Sequence, residues 1–170
     1  MWKERLKNIF IWLFKPKMGK AYFIRVGILA AVAIVFFGVI CEPMFLNGES
    51  MEPNYHSGTL NFCWAPTYWF RKPKRGDVVV MRYAGDRVLL LKRVIALPGD
   101  TVEFRDGYLY LNGVRQEEPY VKFKRERWNL KPRKVAEGHY YVVGDNRSMP
   151  MYQHKFGEIR QSRLEGALLL

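Results

Sequence analysis

Arg75-Gly76-Asp77-Val78-Val79-Val80-Met81-Arg82-Tyr83-Ala84-Gly85-Asp86-Arg87-Val88-Leu89-Leu90-Leu91-Lys92-Arg93-Val94-Ile95-Ala96-Leu97-Pro98-Gly99-Asp100 consists of two apolar, β-branched runs punctuated by three Gly-Asp turns. Short apolar runs bounded by Gly and Pro read as strands, so the stretch predicts one strand over 78–83 and a longer one over 87–96. The same grammar continues downstream. Thr101-Val102-Glu103-Phe104 and Tyr108-Leu109-Tyr110-Leu111 flank Arg105-Asp106-Gly107, a hairpin with Asp-Gly at its tip. Asn112-Gly113 is the next reversal, and Tyr140-Tyr141-Val142-Val143 is a further strand ending at Gly144-Asp145-Asn146-Arg147. No amphipathic helix of convincing length interrupts this pattern. The expected fold is mostly β, a partly open barrel or sandwich.

Upstream the pattern changes. Val26 to Cys41 carries no charge and lies between Arg25 and Glu42. With Tyr22, Phe23 and Ile24 before it and Met44, Phe45 and Leu46 after it, the run reaches the ~20 residues of a membrane-spanning helix. A secretory signal peptide has a similar outline, but Val39-Ile40-Cys41-Glu42-Pro43 lacks a small-x-small cleavage site. The reading is an uncleaved anchor over residues 21–43. Lys3, Arg5, Lys7, Lys15, Lys17, Lys20 and Arg25 precede it against Glu4 alone, which places the N-terminus in the cytoplasm. Residues 1–20 are then a basic cytoplasmic segment, in which Ile9-Phe10-Ile11-Trp12-Leu13-Phe14 suits an interfacial helix. Residues 44–170 form the outer, β-rich domain.

The chain's 170 residues carry a net charge of +12, yet no nucleic-acid motif accompanies the basic residues, so no nucleic-acid partner is expected. The 2 cysteines and 3 histidines lack metal-ligand spacing, and neither a metal nor an organic cofactor is implied. No Gly-x-Ser-x-Gly elbow is present. Between Glu117 and Gly138 the sequence is charged and irregular, an inserted loop or small lobe. Tyr68-Trp69-Phe70, after Trp64, reads either as a core strand or as an interfacial loop dipping into lipid.

Two residues carry candidate chemistry. Ser50 stands in Asn47-Gly48-Glu49-Ser50-Met51-Glu52-Pro53 just past the apolar segment, and Lys92 interrupts the apolar run of the long strand. A serine hydroxyl is a weak nucleophile and an ammonium is no base. Removing the ammonium from water favours its neutral form, which accepts the hydroxyl proton. A Ser-Lys pair of this kind is a variant of nucleophile-base catalysis.

These boxes together resemble bacterial signal peptidase I. Gly48-Glu49-Ser50-Met51-Glu52-Pro53, Arg75-Gly76-Asp77-Val78-Val79, Lys92-Arg93-Val94-Ile95-Ala96-Leu97-Pro98-Gly99-Asp100 and Gly144-Asp145-Asn146-Arg147 follow one another in the family's order and at family-like spacing. The resemblance implies a membrane-anchored β-rich peptidase that removes signal peptides from exported preproteins, on the outer or periplasmic face of the bacterial cytoplasmic membrane. It implies Ser50 as acylating nucleophile and Lys92 as general base. The Ser50 N–H would be one oxyanion donor, Gly48 would stand at the other donor position, and Met51 would line the pocket beside the nucleophile. Arg93, Asp145, Asn146, Arg147 and Ser148 are implied as supporting residues. The substrate would join as an added β-strand, with small apolar pockets selecting small residues.

The last box departs from the family. Pro150 stands where a lysine-orienting serine is expected, and Tyr152 and His154 replace a salt-linked pair. Ser148 is a nearby substitute for the missing hydroxyl. Three functional readings follow: a general signal peptidase, a dedicated peptidase for a pilin-like secretion-system substrate, or an inactive membrane-tethered relative.

Overall fold

The computed structural model describes residues 2–7, 19–83, 88–124, 128–154 and 157–169. The expected interfacial helix at Ile9–Phe14 and the turn at Ala84-Gly85-Asp86 lie outside them. The chain divides into two units, residues 1–39 and 40–170.

The first unit holds α1 (Lys20–Val35), continued by a π-helical turn, Phe36–Ile40. These 21 residues form a helix long and apolar enough to cross a membrane, about 31 Å at 1.5 Å per residue. None of its side chains is buried. A helix this long and this apolar matches hydrocarbon in length and chemistry. The helix ends at Ile40, and the next residues, Cys41–Phe45, form a β-strand.

The second unit is two antiparallel sheets. Its strands are β1 (Cys41–Phe45), β2 (Leu60–Trp64), β3 (Val78–Tyr83), β4 (Val88–Ala96), β5 (Thr101–Arg105), β6 (Tyr108–Leu111), β7 (Val114–Arg115), β8 (Leu130–Lys134), β9 (His139–Val143), β10 (Gly157–Arg160) and β11 (Leu164–Leu169). The larger sheet runs β1-β2-β11-β3-β4-β9-β10 and the smaller β7-β6-β5-β8. The quoted Arg75–Asp100 stretch supplies the centre of the larger sheet, with Val79 opposite Lys92 and Val80 opposite Leu91. Both short hairpins form as their turn residues dictate. Asp106 and Gly107 have φ of 47° and 79°, and Asn112 and Gly113 have 51° and 80°. Two positive φ values in succession match the right-handed strand twist.

Residues 117–138 are less of a loop than their charge suggests. Val121, Trp128 and Val135 are buried, and β8 pairs with β5 at the edge of the smaller sheet. The Tyr68–Phe70 cluster is not a core strand. It falls in one helical turn, α2 (Thr67–Phe70), with Trp69 and Phe70 exposed, while the Tyr68 hydroxyl donates to Asp77 Oδ2 at 3.3 Å.

Asp100 joins the two sheets at the β4–β5 turn. Its carboxylate accepts hydrogen bonds from Arg75 Nε and Nη2 at 3.1 and 2.5 Å, from the Leu97 N–H at 2.8 Å and from Asn112 Nδ2 at 3.0 Å. Burial works to raise its pKa, and these donors overcome it, leaving the carboxyl below its ordinary value. A lowered folded-state pKa gives stability that is present above the unfolded pKa and lost as pH falls through the folded one. Asp100→Asn is therefore expected to cost about 2 kcal/mol near neutral pH and to flatten the acid limb of stability, read by unfolding of the detergent-solubilised chain. An unchanged midpoint would remove Asp100 from this role.

Candidate active site

Ser50 and Lys92 meet. Ser50 lies in the turn that leaves β1, Lys92 lies in the centre of β4, and Lys92 Nζ is hydrogen-bonded to Ser50 Oγ. Lys92 is 2% exposed, a face of the strand that alternation alone leaves open. Hydrophobic residues border it: Val79 opposite, and Leu91 and Val94 along the strand, are all buried. Three strands separate β1 from β4 in the larger sheet, so the two are brought together by packing and not by direct pairing, with Leu46 and Met51 against Val80 and Leu91.

The Gly144–Arg147 box clamps the Ser50 turn. A Cβ on Gly144 would collide with the Ser50 carbonyl oxygen, so this close approach requires glycine. The Asn146 N–H donates to Ser50 O at 3.0 Å, and Asn146 Nδ2 donates to Glu49 O at 3.0 Å. Asp145, fully buried, accepts from Arg93 Nε and Nη2 at 2.8 and 2.6 Å and from Asn54 Nδ2 at 2.8 Å. Burial opposes the Arg93 charge, and the Asp145 hydrogen bonds and charge overcome it, raising its pKa. This bidentate pair ties the strand residue beside Lys92 to the turn beside Ser50.

Arg147 is also buried and pairs with Glu118 at 2.6 Å, both side chains being almost inaccessible. It donates as well to Gly144 O at 2.8 Å. Glu118 belongs to the irregular segment, and nothing in its local sequence marks it out. Tyr120 links the two ion pairs: its hydroxyl donates to Glu118 Oε1 at 2.9 Å, and its ring lies 4.2 Å under the Arg93 guanidinium.

The divergent residues take different positions. Pro150 starts a one-turn helix, Met151–Gln153. Tyr152 is exposed, while His154 is buried beside the site. Burial pushes the His154 imidazole down to about 4; the Asn146 hydrogen bond opposes this, and the Lys92 and Arg147 charges add to it. Ser148 is exposed, and its hydroxyl donates to Asn146 Oδ1 at 2.6 Å.

Gly48 has φ of 109°, open to glycine and strained for other residues. Its N–H donates to Ser57 Oγ at 3.1 Å, so in this conformation that donor is committed away from an oxyanion. Met51 is buried with Met44, Leu46, Cys63, Val80 and Leu91. A pocket of about 20 Å³ opens beside Ser50, lined by Leu46, Met51, Tyr55 and Leu89–Leu91 among others.

Glu118→Ala is expected to destabilise the protein by about 3 kcal/mol, because it strands the buried Arg147 charge. Thermal or denaturant unfolding measures this, and a loss below 1 kcal/mol would show that solvent reaches Arg147.

Comparison with known proteins agrees with the boxes. The family profile described as signal peptidase, peptidase S26, matches residues 19–169. Signal peptidase I of Bacillus licheniformis is 34% identical over 149 residues, covering 82% of this chain and 80% of that one. Signal peptidase I V of Bacillus subtilis (strain 168) is 30% identical over 165 residues, covering 89% and 98%. The crystal structure of a signal peptidase I from Enterococcus faecalis V583 aligns at 33% identity with a TM-score of 0.47, covering 58% of this chain and 98% of that one. The profile match spans both the apolar helix and the β-rich unit, and on it the chain belongs to the peptidase S26 signal peptidase family and is a serine endopeptidase.

Proposed function

We propose that this chain is a membrane-anchored Ser-Lys endopeptidase that removes N-terminal signal peptides from exported preproteins, cutting after small residues. The observation that carries the reading is the hydrogen bond between the buried Lys92 amine and the Ser50 hydroxyl. In the β4 surroundings an ammonium loses its hydration, which favours the neutral amine. That amine takes the Ser50 proton as Oγ attacks the scissile carbonyl. The Ser50 N–H donates to the oxyanion, and Lys92 returns the proton to the departing amine of the mature protein. A water, deprotonated by Lys92, then hydrolyses the ester and frees the signal peptide.

The substrate approach follows from the sheet edges. The β4–β9 pairing runs from Arg93 to Ala96, while Leu89, Leu90 and Leu91 line the pocket opposite Leu46–Ser50. An extended peptide adds to β4 there and presents alternate side chains to the pocket. The apolar lining of Leu46, Met51 and Leu89–Leu91 suits a small apolar side chain. The 21-residue apolar helix, preceded by basic residues, anchors the enzyme with its N-terminus in the cytoplasm and its catalytic unit on the outer face of the bacterial cytoplasmic membrane.

One observation favours a narrower reading, a dedicated peptidase for a pilin-like substrate: Pro150, Tyr152 and His154 depart from the family's pattern in the last box. A panel of preproteins separates the two, since a dedicated enzyme cuts one class and leaves the others intact. The inactive reading is disfavoured by the contact of Ser50 with Lys92.

Ser50→Ala and Lys92→Arg are each expected to reduce cleavage of an Ala-x-Ala preprotein at least about a thousandfold with the fold retained, since neither leaves a nucleophile-base pair. The wild-type rate is expected to climb with pH as Lys92 loses its proton. Residual activity of Lys92→Arg near wild type, or a flat pH profile, would contradict a lysine base.

A further inference from the structure

We propose that His154 is a positioning residue for the oxyanion donor, acting through Asn146 on the peptide group that joins Glu49 to Ser50. The inference rests on the reading of Ser50 as nucleophile, and it concerns how the single amide beside that nucleophile is aimed.

The chain of contacts is continuous. His154 Nε2 lies 2.7 Å from the Asn146 carbonyl oxygen. A carbonyl only accepts, so Nε2 carries the hydrogen and donates. Asn146 in turn holds both peptide groups around the nucleophile, through its N–H to Ser50 O and its Nδ2 to Glu49 O, each at 3.0 Å. The orientation of its amide is fixed from the other end, where Oδ1 accepts from the Ser148 N–H at 3.1 Å and the Ser148 hydroxyl at 2.6 Å. In a trans peptide the C=O and the following N–H point in opposite directions. Holding Glu49 O toward Asn146 therefore turns the Ser50 N–H away from it, toward the open side of the nucleophile.

Two further observations raise the importance of that one amide. Among the described residues no acceptor takes the Ser50 N–H, whereas the Gly48 N–H is committed to Ser57 Oγ. The second donor position thus offers no competing amide in this conformation. His154 is itself confined. Its ring meets the Trp128 ring edge-to-face at 4.8 Å, and its Cε1 lies against the space that a Gly144 side chain would need. Among the described residues the titratable or charged groups that face it are Lys92 and Arg147, the latter paired with Glu118. Burial keeps the imidazole neutral at ordinary pH, so it serves as a fixed donor without adding a cation beside the Lys92 amine.

The test compares Ser50→Ala, His154→Phe and His154→Gln in the detergent-solubilised full chain, with an Ala-x-Ala preprotein as substrate. Because misaiming one oxyanion donor costs less than deleting it, His154→Phe is expected to lower kcat roughly 10- to 100-fold and to leave KM within about twofold. His154→Gln, whose Nε2 donates to the same carbonyl, is expected to recover most of kcat. If His154→Phe does not fold, Asn146→Ala reads the same step: it deletes the bond to Glu49 O, keeps the main-chain bonds, and is expected to give the same kcat-selective loss. Unchanged kcat in a folded variant, equal damage to KM, or failure of glutamine to restore kcat would overturn the inference. Cleavage surviving Ser50→Ala would overturn the nucleophile reading beneath it, whereas Ser50-dependent cleavage with normal kcat at position 154 would overturn this inference alone.

Discussion

The contact between the Lys92 amine and the Ser50 hydroxyl sets the demands that the rest of the outer unit meets. A lysine side chain placed at 2% exposure is costly as a cation. It is held there by a strand paired with β3 through Lys92 itself and with β9 from the next residue, Arg93, onward. The serine, in contrast, lies on a turn, and a turn has little stiffness of its own. Gly144, Asp145 and Asn146 supply that stiffness by fixing the Glu49 and Ser50 carbonyls and the Asn54 amide.

Charge is housed in pairs around this centre. Arg93 with Asp145, and Arg147 with Glu118, place four ionised side chains in the interior without leaving one unmatched. Such pairs contribute little net stability relative to an apolar core, but removing one partner is expensive. What they add is geometry. Bidentate guanidinium–carboxylate contacts fix direction as well as distance, and Tyr120 couples the two pairs. The arrangement ties the irregular 116–123 segment to the Ser50 turn, which explains why a charged stretch with no strand pattern packs inward at Glu118 and Val121.

Much of the fold was legible in the chain because its turns are chemically explicit. Asp106-Gly107 and Asn112-Gly113 adopt the left-handed pairs that their composition specifies, and the Arg75–Asp100 stretch gave both central strands. The strands that escaped the reading lack such marks. β1 directly follows the apolar helix with no turn residue to mark its start, and β8, rich in lysine and arginine, is an edge strand whose side chains mostly face solvent. β11 lies between β2 and β3, pairing with strands far upstream of it, a registry that no local pattern carries. At the site, Ser50, Lys92 and the Gly144–Arg147 box were named by their motifs. Glu118 and Asn54 were not, since each acquires its role from a partner distant in sequence, and His154 stood out only as a departure from the last box. The motifs also left open which face Lys92 takes, and burial of that face is a property of the assembled sheets.

The most direct test of the account is chemical replacement of the base. Lys92→Cys in a Cys41→Ala, Cys63→Ala background removes the amine, and aminoethylation of the introduced thiol in the unfolded chain, followed by refolding, restores an amine of similar reach and lower basicity. The account predicts no cleavage by the unmodified variant, recovery after aminoethylation, and an acid limb of the pH–rate profile displaced to lower pH in step with the weaker base. Recovery with an unmoved profile, or cleavage before modification, would contradict the assignment of Lys92 as the base that activates Ser50.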